Sequence, residues 1–369
     1  MTGRGKISRR LLLLGFGLAA ACLLAEAVVR VLLRGRIILY PRFHAAARYN
    51  NYTIRRLRPE SRFRHRSAGG SWEFVTNSRG FRSHREHAYD KPDGVLRVIC
   101  AGDSHTQGFE CRQDFTYAAV MQRRLRQAGF KAEVINAGVS GFGTAEELVF
   151  IENEAVRYSP DAIVLGFFAN DLDDNVKADL FRIEAGVLVE NKHEHIPGVA
   201  AVERINRIPG FAWLSQNSYA YSFVFNSVWE LAKQSLLTAR EREMTTELAV
   251  KQENETDKLA GTKRDLCLAL IRRIHGFCRD NGILFVILEI PQRNIDSAGF
   301  RSSVPPELLG PFRDSCDIMI CSDDALDGEG GAAGLFVPFG QHHISERTHA
   351  RLGEACAHKI AERQAESHR

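Results

Sequence analysis

Val95-Leu96-Arg97-Val98-Ile99-Cys100-Ala101-Gly102-Asp103-Ser104-His105-Thr106 is the stretch on which the fold reading turns. Residues 95–101 form a short, nearly continuous apolar run of β-formers that ends abruptly in Gly-Asp-Ser, and helical periodicity follows over 116–127. A strand that is apolar on both faces has to be covered on both faces, which points to a parallel sheet between helices. The unit repeats downstream. Residues 132–137 form a second apolar run and 144–158 a second helical stretch, after which Pro160-Asp161 leads into a third run at 162–168. Beyond a gap, the pattern predicts a helix over 266–279, strands over 283–290 and 317–321, and a last helix with Ser345 as its N-cap. Leu352, Cys356 and Ile360 sit at helical spacing in that last helix.

Outward from this α/β body the pattern loosens. Residues 37–93 are polar, spotted with aromatics and weakly periodic, and read as a linker and lead-in in which 74–77 could form an edge strand. Between about 176 and 260 the alternation stops. A structureless loop of that length is unexpected in a compact domain, so an insertion with its own helices is predicted. It would hold a hairpin over 180–190 turning at Ala185-Gly186, an aromatic-rich helix over 219–232 and a polar stretch over 245–258.

The N-terminus reads as a membrane segment. Arg4, Lys6, Arg9 and Arg10 precede an apolar run over 11–29 that only Glu26 interrupts, close to the roughly 20 residues a spanning helix needs. Residues 1–36 are expected to be a retained anchor with a basic flank. Ala25-Glu26-Ala27 also has the form of a signal-peptidase site, and lipidation at Cys22 fits least. Arg30, Arg34 and Arg36 follow the run, so the positive-inside count nearly ties. The export-like start favours a catalytic domain outside the cytoplasm, in the periplasm. The net charge of +4 over 369 residues gives no ground for a nucleic-acid partner, and the arginines over 30–85 read as a solvated flank or a contact with anionic headgroups. The eight cysteines show no paired C-x-x-C signature. Cys267 and Cys278 would lie roughly 16 Å apart on one helix, too far for a bridge.

Four positions follow predicted strands, or precede the last helix, where a parallel sheet gathers its active site. Ser104 follows the first strand. Gly141 follows the second, in Asn136-Ala137-Gly138-Val139-Ser140-Gly141-Phe142-Gly143-Thr144, and glycine lets its N–H approach a ligand closely. Asn170 follows the third and offers a neutral amide donor; His343 precedes the last helix and could act as a base. Singly, each has a structural explanation as a turn, a strand end or a cap. Together they supply a nucleophile, oxyanion donors and a proton shuttle. His193-Glu194-His195 has no third ligand nearby, so no metal site is expected, and Walker, H-E-x-x-H and dinucleotide fingerprints are absent.

In chain order these blocks, from about Thr76 to Glu362, resemble the SGNH/GDSL hydrolases. Thr76-Asn77-Ser78-Arg79-Gly80-Phe81-Arg82 ahead of Gly-Asp-Ser is similar to the bacterial membrane-anchored branch. The resemblance implies a three-layer α/β/α, flavodoxin-like hydrolase domain over 94–365. It also implies metal- and cofactor-free ester hydrolysis through an acyl-serine intermediate. Ser104 would be nucleophile and oxyanion donor, Gly141 and Asn170 the other donors, His343 the general base, and Asp103 a supporting residue. One departure stands out. The family usually carries an Asp two or three residues before the His, and here Gln341 and Gly340 occupy those places. Gln341 cannot stabilise an imidazolium as a carboxylate does, which leaves a Ser–His dyad, with a main-chain carbonyl as its other possible support. His349 matches a family position in the last helix. The expected activity is removal of an acyl group, acetyl first among them, from a cell-envelope or exported glycan, the glycan resting on location and on what the family often does. An O-acyltransferase, or a glycan-binding protein that kept the fold without the chemistry, are the rival readings.

Overall fold

The computed structural model describes residues 3–248, 255–294, 299–328, 334–338 and 343–367. Its first element is α1 (Gly3–Leu33), and the 25 residues of Arg9–Leu33 are long and apolar enough to cross a bilayer. Leu12, Leu14, Phe16, Leu23 and Leu24 on this helix are exposed. Toward its C-terminal end it docks on the body through Glu26. That carboxylate accepts hydrogen bonds from the Ser218 hydroxyl (2.8 Å) and from the backbone N–H groups of Tyr219 (3.2 Å) and Ala220 (3.0 Å).

The segment read as a linker is folded. β1 (His44–Tyr49) pairs antiparallel with β2 (Tyr52–Leu57), and β3 (Arg62–Ser67) with β4 (Gly70–Val75). Phe43, Ile54, Phe63 and Phe74 are buried in the same core cluster as Ile99 and Ile163 of the central sheet. The alternation was present but masked by arginines: in β3, exposed Arg62 and Arg64 flank buried Phe63, and His65 is buried in turn. The edge strand expected over 74–77 is the end of β4, which belongs to this ribbon and not to the main sheet.

The main sheet is built from the five runs read above. β5 (Val95–Gly102) lies between β6 (Lys131–Asn136) and β7 (Ala162–Phe167); β11 (Leu284–Glu289) and the strand Ile318–Ile320 extend it beyond β7, all parallel. Side chains alternate between two cores, as a period of two requires. Ile99, Ile163, Leu165, Phe285 and Ile287 face α4 (Thr144–Asn153) and α9 (Glu255–Asp280) in one core. Val98, Cys100, Val164, Val286 and Leu288 share the other with Tyr117, Met121 and Leu125 of α3 (Tyr117–Gln127) and Leu352, Cys356 and Ile360 of the helix Glu346–Ser367. This is the helix–sheet–helix architecture expected, and the last helix begins beside Ser345, whose hydroxyl accepts from the Thr348 N–H at 3.4 Å.

The insertion leaves the body after α5 (Asp171–Ala178). β8 (Phe181–Glu184) and β9 (Val187–Glu190) form the expected hairpin, with Ala185 and Gly186 at φ of 49° and 82°. Two positive φ values in a two-residue loop match the right-handed twist of the flanking strands. β10 (Glu194–His195) then runs parallel to β2, followed by α6 (Val199–Asn206), α7 (Phe211–Asn217) and α8 (Tyr219–Leu248). α8 extends well past the helix expected over 219–232. The polar stretch expected over 245–258 includes 249–254, outside the described residues.

Candidate active site

Ser104 opens α2 (Ser104–Gln107), a single turn that starts where β5 stops. Asp103 caps that turn, its carboxylate accepting from the His105 N–H at 2.8 Å. Burial pushes the Asp103 carboxyl up to about 6, against the lowering effect of that hydrogen bond. Gly108 closes the turn in the left-handed region at φ 70°. The serine hydroxyl is thereby held at the carboxyl end of β5, at the start of that turn.

His343 reaches Ser104 from 239 residues away in sequence. Its Nε2 lies 2.8 Å from Ser104 Oγ. Its Nδ1 lies 3.3 Å from Oε2 of Glu110, whose side chain is fully buried. The Ser104 hydroxyl can donate to Nε2 only if the ring proton sits on Nδ1, facing the carboxylate, so the two partners select one tautomer. The Glu110 contact is close enough for an ion pair but is not aligned as a hydrogen bond, and neither Glu110 oxygen has a hydrogen-bond partner among the described residues. Catalytic hydrogen bonds without substrate are often long and tighten in the reacting complex. The sequence reading leaves a Ser–His dyad with a main-chain carbonyl as its possible support; in the structure a carboxylate faces Nδ1. It comes from the nucleophile's own loop, while Gln341 and Gly340, where the family usually carries it, lie outside the described residues.

Glu110 is fixed by the lead-in segment. Arg82, buried and stacked over the Phe74 ring at 4.5 Å, donates to the carbonyls of Gln107, Gly108 and Cys111 on either side of it. Burial lowers the Arg82 guanidinium to about 10. The turn that presents Arg82 is itself held by Asn77 Oδ1, which accepts from the N–H groups of Arg79 (3.0 Å) and Phe81 (2.9 Å). Glu110 was not singled out from sequence. The available signal was weak: a carboxylate between Phe109 and Cys111, six residues past the serine.

Gly141 and Asn170 line the same cavity as Ser104 and His343. Gly141 has φ 81°, a backbone conformation that favours glycine, and a Cβ there would lie 2.9 Å from Arg55 Nη2, so the guanidinium would have to move. Arg55 donates to the Gly141 carbonyl and lies 3.9 Å from Glu146. Among the described residues the N–H groups of Ser104 and Gly141 have no hydrogen-bond partner, which leaves two backbone donors for an oxyanion. Asn170 is placed differently. Its Nδ2 donates to Asp174 Oδ2 (2.8 Å) and Asp103 Oδ2 (3.2 Å), so serving an oxyanion requires it to give up the longer bond.

The cavity holds about 240 Å3. Tyr40, Phe109 and Trp229 supply aromatic wall, and Arg42, Lys177, Lys233 and His195 supply polar groups. The wall comes from the hairpins and α8 as well as from the sheet. His349 is structural: its Nδ1 accepts from the Tyr117 N–H at 3.2 Å, and burial lowers its pKa to about 3. Of His193-Glu194-His195, the last two form β10, and His195 Nε2 lies 3.6 Å from Glu146.

Residues 100–286 match the model of the GDSL-like lipase/acylhydrolase family. No curated protein matches the chain. Similar solved structures include that titled TesA, at 14% identity and TM-score 0.39, covering 72% of this chain and 99% of that one. The psychrotrophic esterase EstA from Pseudoalteromonas sp. aligns at 10% identity and TM-score 0.37, covering 73% of this chain and 99% of that one. A G-D-S-L family protein from Desulfitobacterium hafniense, titled a lipolytic protein, aligns at 9% identity and TM-score 0.36, covering 71% and 98%.

Proposed function

Because the chain belongs to the GDSL-like lipase/acylhydrolase family, we propose that it is a serine esterase in which Ser104, His343 and Glu110 act as one relay. The observation that carries this reading is the line of contacts itself: serine hydroxyl to Nε2 at 2.8 Å, and Nδ1 to a buried carboxylate at 3.3 Å. Ser104 Oγ attacks the ester carbonyl while His343 Nε2 takes its proton. The imidazolium so formed is stabilised by the Glu110 carboxylate facing its Nδ1. The tetrahedral oxyanion is received by the N–H groups of Ser104 and Gly141, with the Asn170 amide turning toward it. The intermediate collapses, His343 returns the proton to the leaving alcohol, and water repeats the sequence on the acyl-serine.

A cavity of this size with a polar rim supports a short acyl group, acetyl above all, on a polar alcohol. Arg42, held over the Tyr40 and Trp229 rings, and Lys233 in the cavity wall supply hydrogen-bond donors that support a sugar as that alcohol. We read the substrate as an acylated glycan of the envelope or an exported polymer. The docking of Glu26 onto α8 supports a retained anchor over a cleaved signal peptide, since cleavage at Ala25-Glu26-Ala27 would discard a group that the folded domain binds. The export-like start puts the domain on the periplasmic side. Transfer of the acyl group to a sugar hydroxyl would use the same relay, and acylated product on adding an acceptor sugar distinguishes it.

The decisive test uses the full chain in detergent, with a fluorophosphonate probe and a short-chain aryl acetate. Wild type should label and turn over, and Ser104→Ala should lose labelling and about 10⁶-fold in kcat. Equal behaviour of the two would sink the esterase reading.

A further inference from the structure

Over its first turns α8 carries one broad apolar arc, whose two edges are placed differently. Tyr221, Phe225 and Trp229 recur every four residues and form a ladder with ring centroids 5.7 and 6.3 Å apart. Arg42 caps the ladder at 4.8 Å from the Trp229 ring, and Trp229, Lys233 and Leu236 continue into the active-site cavity. At 3.6 residues per turn, Val224, Val228 and Leu231 make a second stripe about 90° round the helix from the ladder. Each is 60–64% exposed, and Trp213 on the preceding α7 is 63% exposed. The apolar arc of a helix is expected to be buried against a neighbour, and this edge of it is exposed.

We propose that this outer face of α7–α8 lies on the lipid bilayer that α1 crosses. The argument is continuity. Glu26 of α1 accepts three hydrogen bonds from the first residues of α8 and the residue before it, and Arg30 donates to the Asn217 carbonyl (3.1 Å) and stacks over Tyr219 (5.1 Å). The start of α8 is therefore tied to the polar end of the spanning helix, where the hydrocarbon gives way to headgroups. The stripe begins five residues beyond Tyr219, about 7.5 Å along the axis, and Trp213 is a residue type that concentrates at that depth. Arg34 and Arg36, just past the span, suit anionic headgroups on the same side. With the ladder edge walling the cavity, α8 holds the ester-cleaving site at headgroup level. The consequence is that substrates carried by membrane amphiphiles reach Ser104 without leaving the surface.

This inference rests on α1 being a retained anchor, and the experiment separates the two. The full chain is reconstituted in phosphatidylcholine–phosphatidylglycerol vesicles, washed with alkaline carbonate, and its tryptophan fluorescence is measured with and without brominated acyl chains. The chain is expected to stay with the vesicles, and Trp213→Phe to remove at least half of the bromolipid quenching. Val228→Asp with Leu231→Asp, both on the exposed face, should cut the quenching of Trp213 at least twofold and leave turnover of a soluble aryl acetate unchanged. Release by carbonate would remove the anchor and this inference with it. Retention with the same quenching in wild type and Trp213→Phe would overturn this inference alone, and mean that water, a second copy or a protein partner covers the stripe.

Discussion

The two loops that meet at the cavity are built differently. Residues 102–111 leave the central strand and make a capped turn, and three of their carbonyls are gripped by buried Arg82. The second loop precedes the last helix, and 334–338 and 343–345 of it are described. Its described part is pinned by a bridge between Phe336 and Ile344, by Val337 N–H to His343 O (2.9 Å), and by Thr348 Oγ1 to Leu335 O (2.6 Å). The first loop carries both the serine and a carboxylate; the second carries the imidazole. What a relay needs is a carboxylate at Nδ1, from whichever element reaches it, and a clamped turn is a rigid platform for one.

Glu110→Gln breaks this comparison most directly. It keeps shape and burial but removes the charge facing the imidazolium, so kcat on an aryl acetate should fall about 10²–10⁴-fold with little change in KM. A loss smaller than threefold would mean that another group supports His343. Arg82→Met comes next. Freed carbonyls on both sides of Glu110 let the loop shift, and kcat should fall about 10–10²-fold while fluorophosphonate labelling slows in proportion. Retained kcat with a lowered Tm would make Arg82 a stabilising residue only.

A smaller effect concerns the packing behind Gly141. Burial raises the Glu146 carboxyl to about 8, above its ordinary 4.5, despite Arg55 nearby. The folded state therefore holds that proton more tightly than the unfolded chain, and the associated stability is present below about 4.5 and lost as the pH rises through about 8. Tm should decline from pH 5 to 8, and Glu146→Gln should flatten the upper part of that decline while keeping an acceptor for the Gly143 N–H, which donates at 2.9 Å. An unchanged Tm profile would show that Glu146 is ionised in the fold. The smallest effect is expected at Gln341→Asp. With Glu110 already facing Nδ1, kcat should not change; a large gain would restore the dyad and demote Glu110.

Much of this was legible before any coordinates. The β-rich apolar runs announced each strand, because a buried parallel strand has no polar face to hide. The Ala185-Gly186 hairpin was legible from turn chemistry, and Ser104, Gly141, Asn170 and His343 from their places beside strand ends and the last helix. Residues 44–75 were not, because arginine stems pack while their heads stay solvated, so the charge pattern concealed the alternation of Phe63 and His65. Nor was Glu110, since local sequence does not encode which carboxylate points at a histidine more than two hundred residues away.

The sequence by itself determined the layered sheet, the membrane-length first helix and the family's residue blocks, since these depend on local periodicity and short-range turn chemistry. Tertiary structure alone decided that Glu110 faces His343, that Arg82 holds its loop, that Asn170 is partly engaged elsewhere and that α8 walls the cavity. Those are contacts between distant segments, and their geometry exists only once burial has brought both partners into the same dry space.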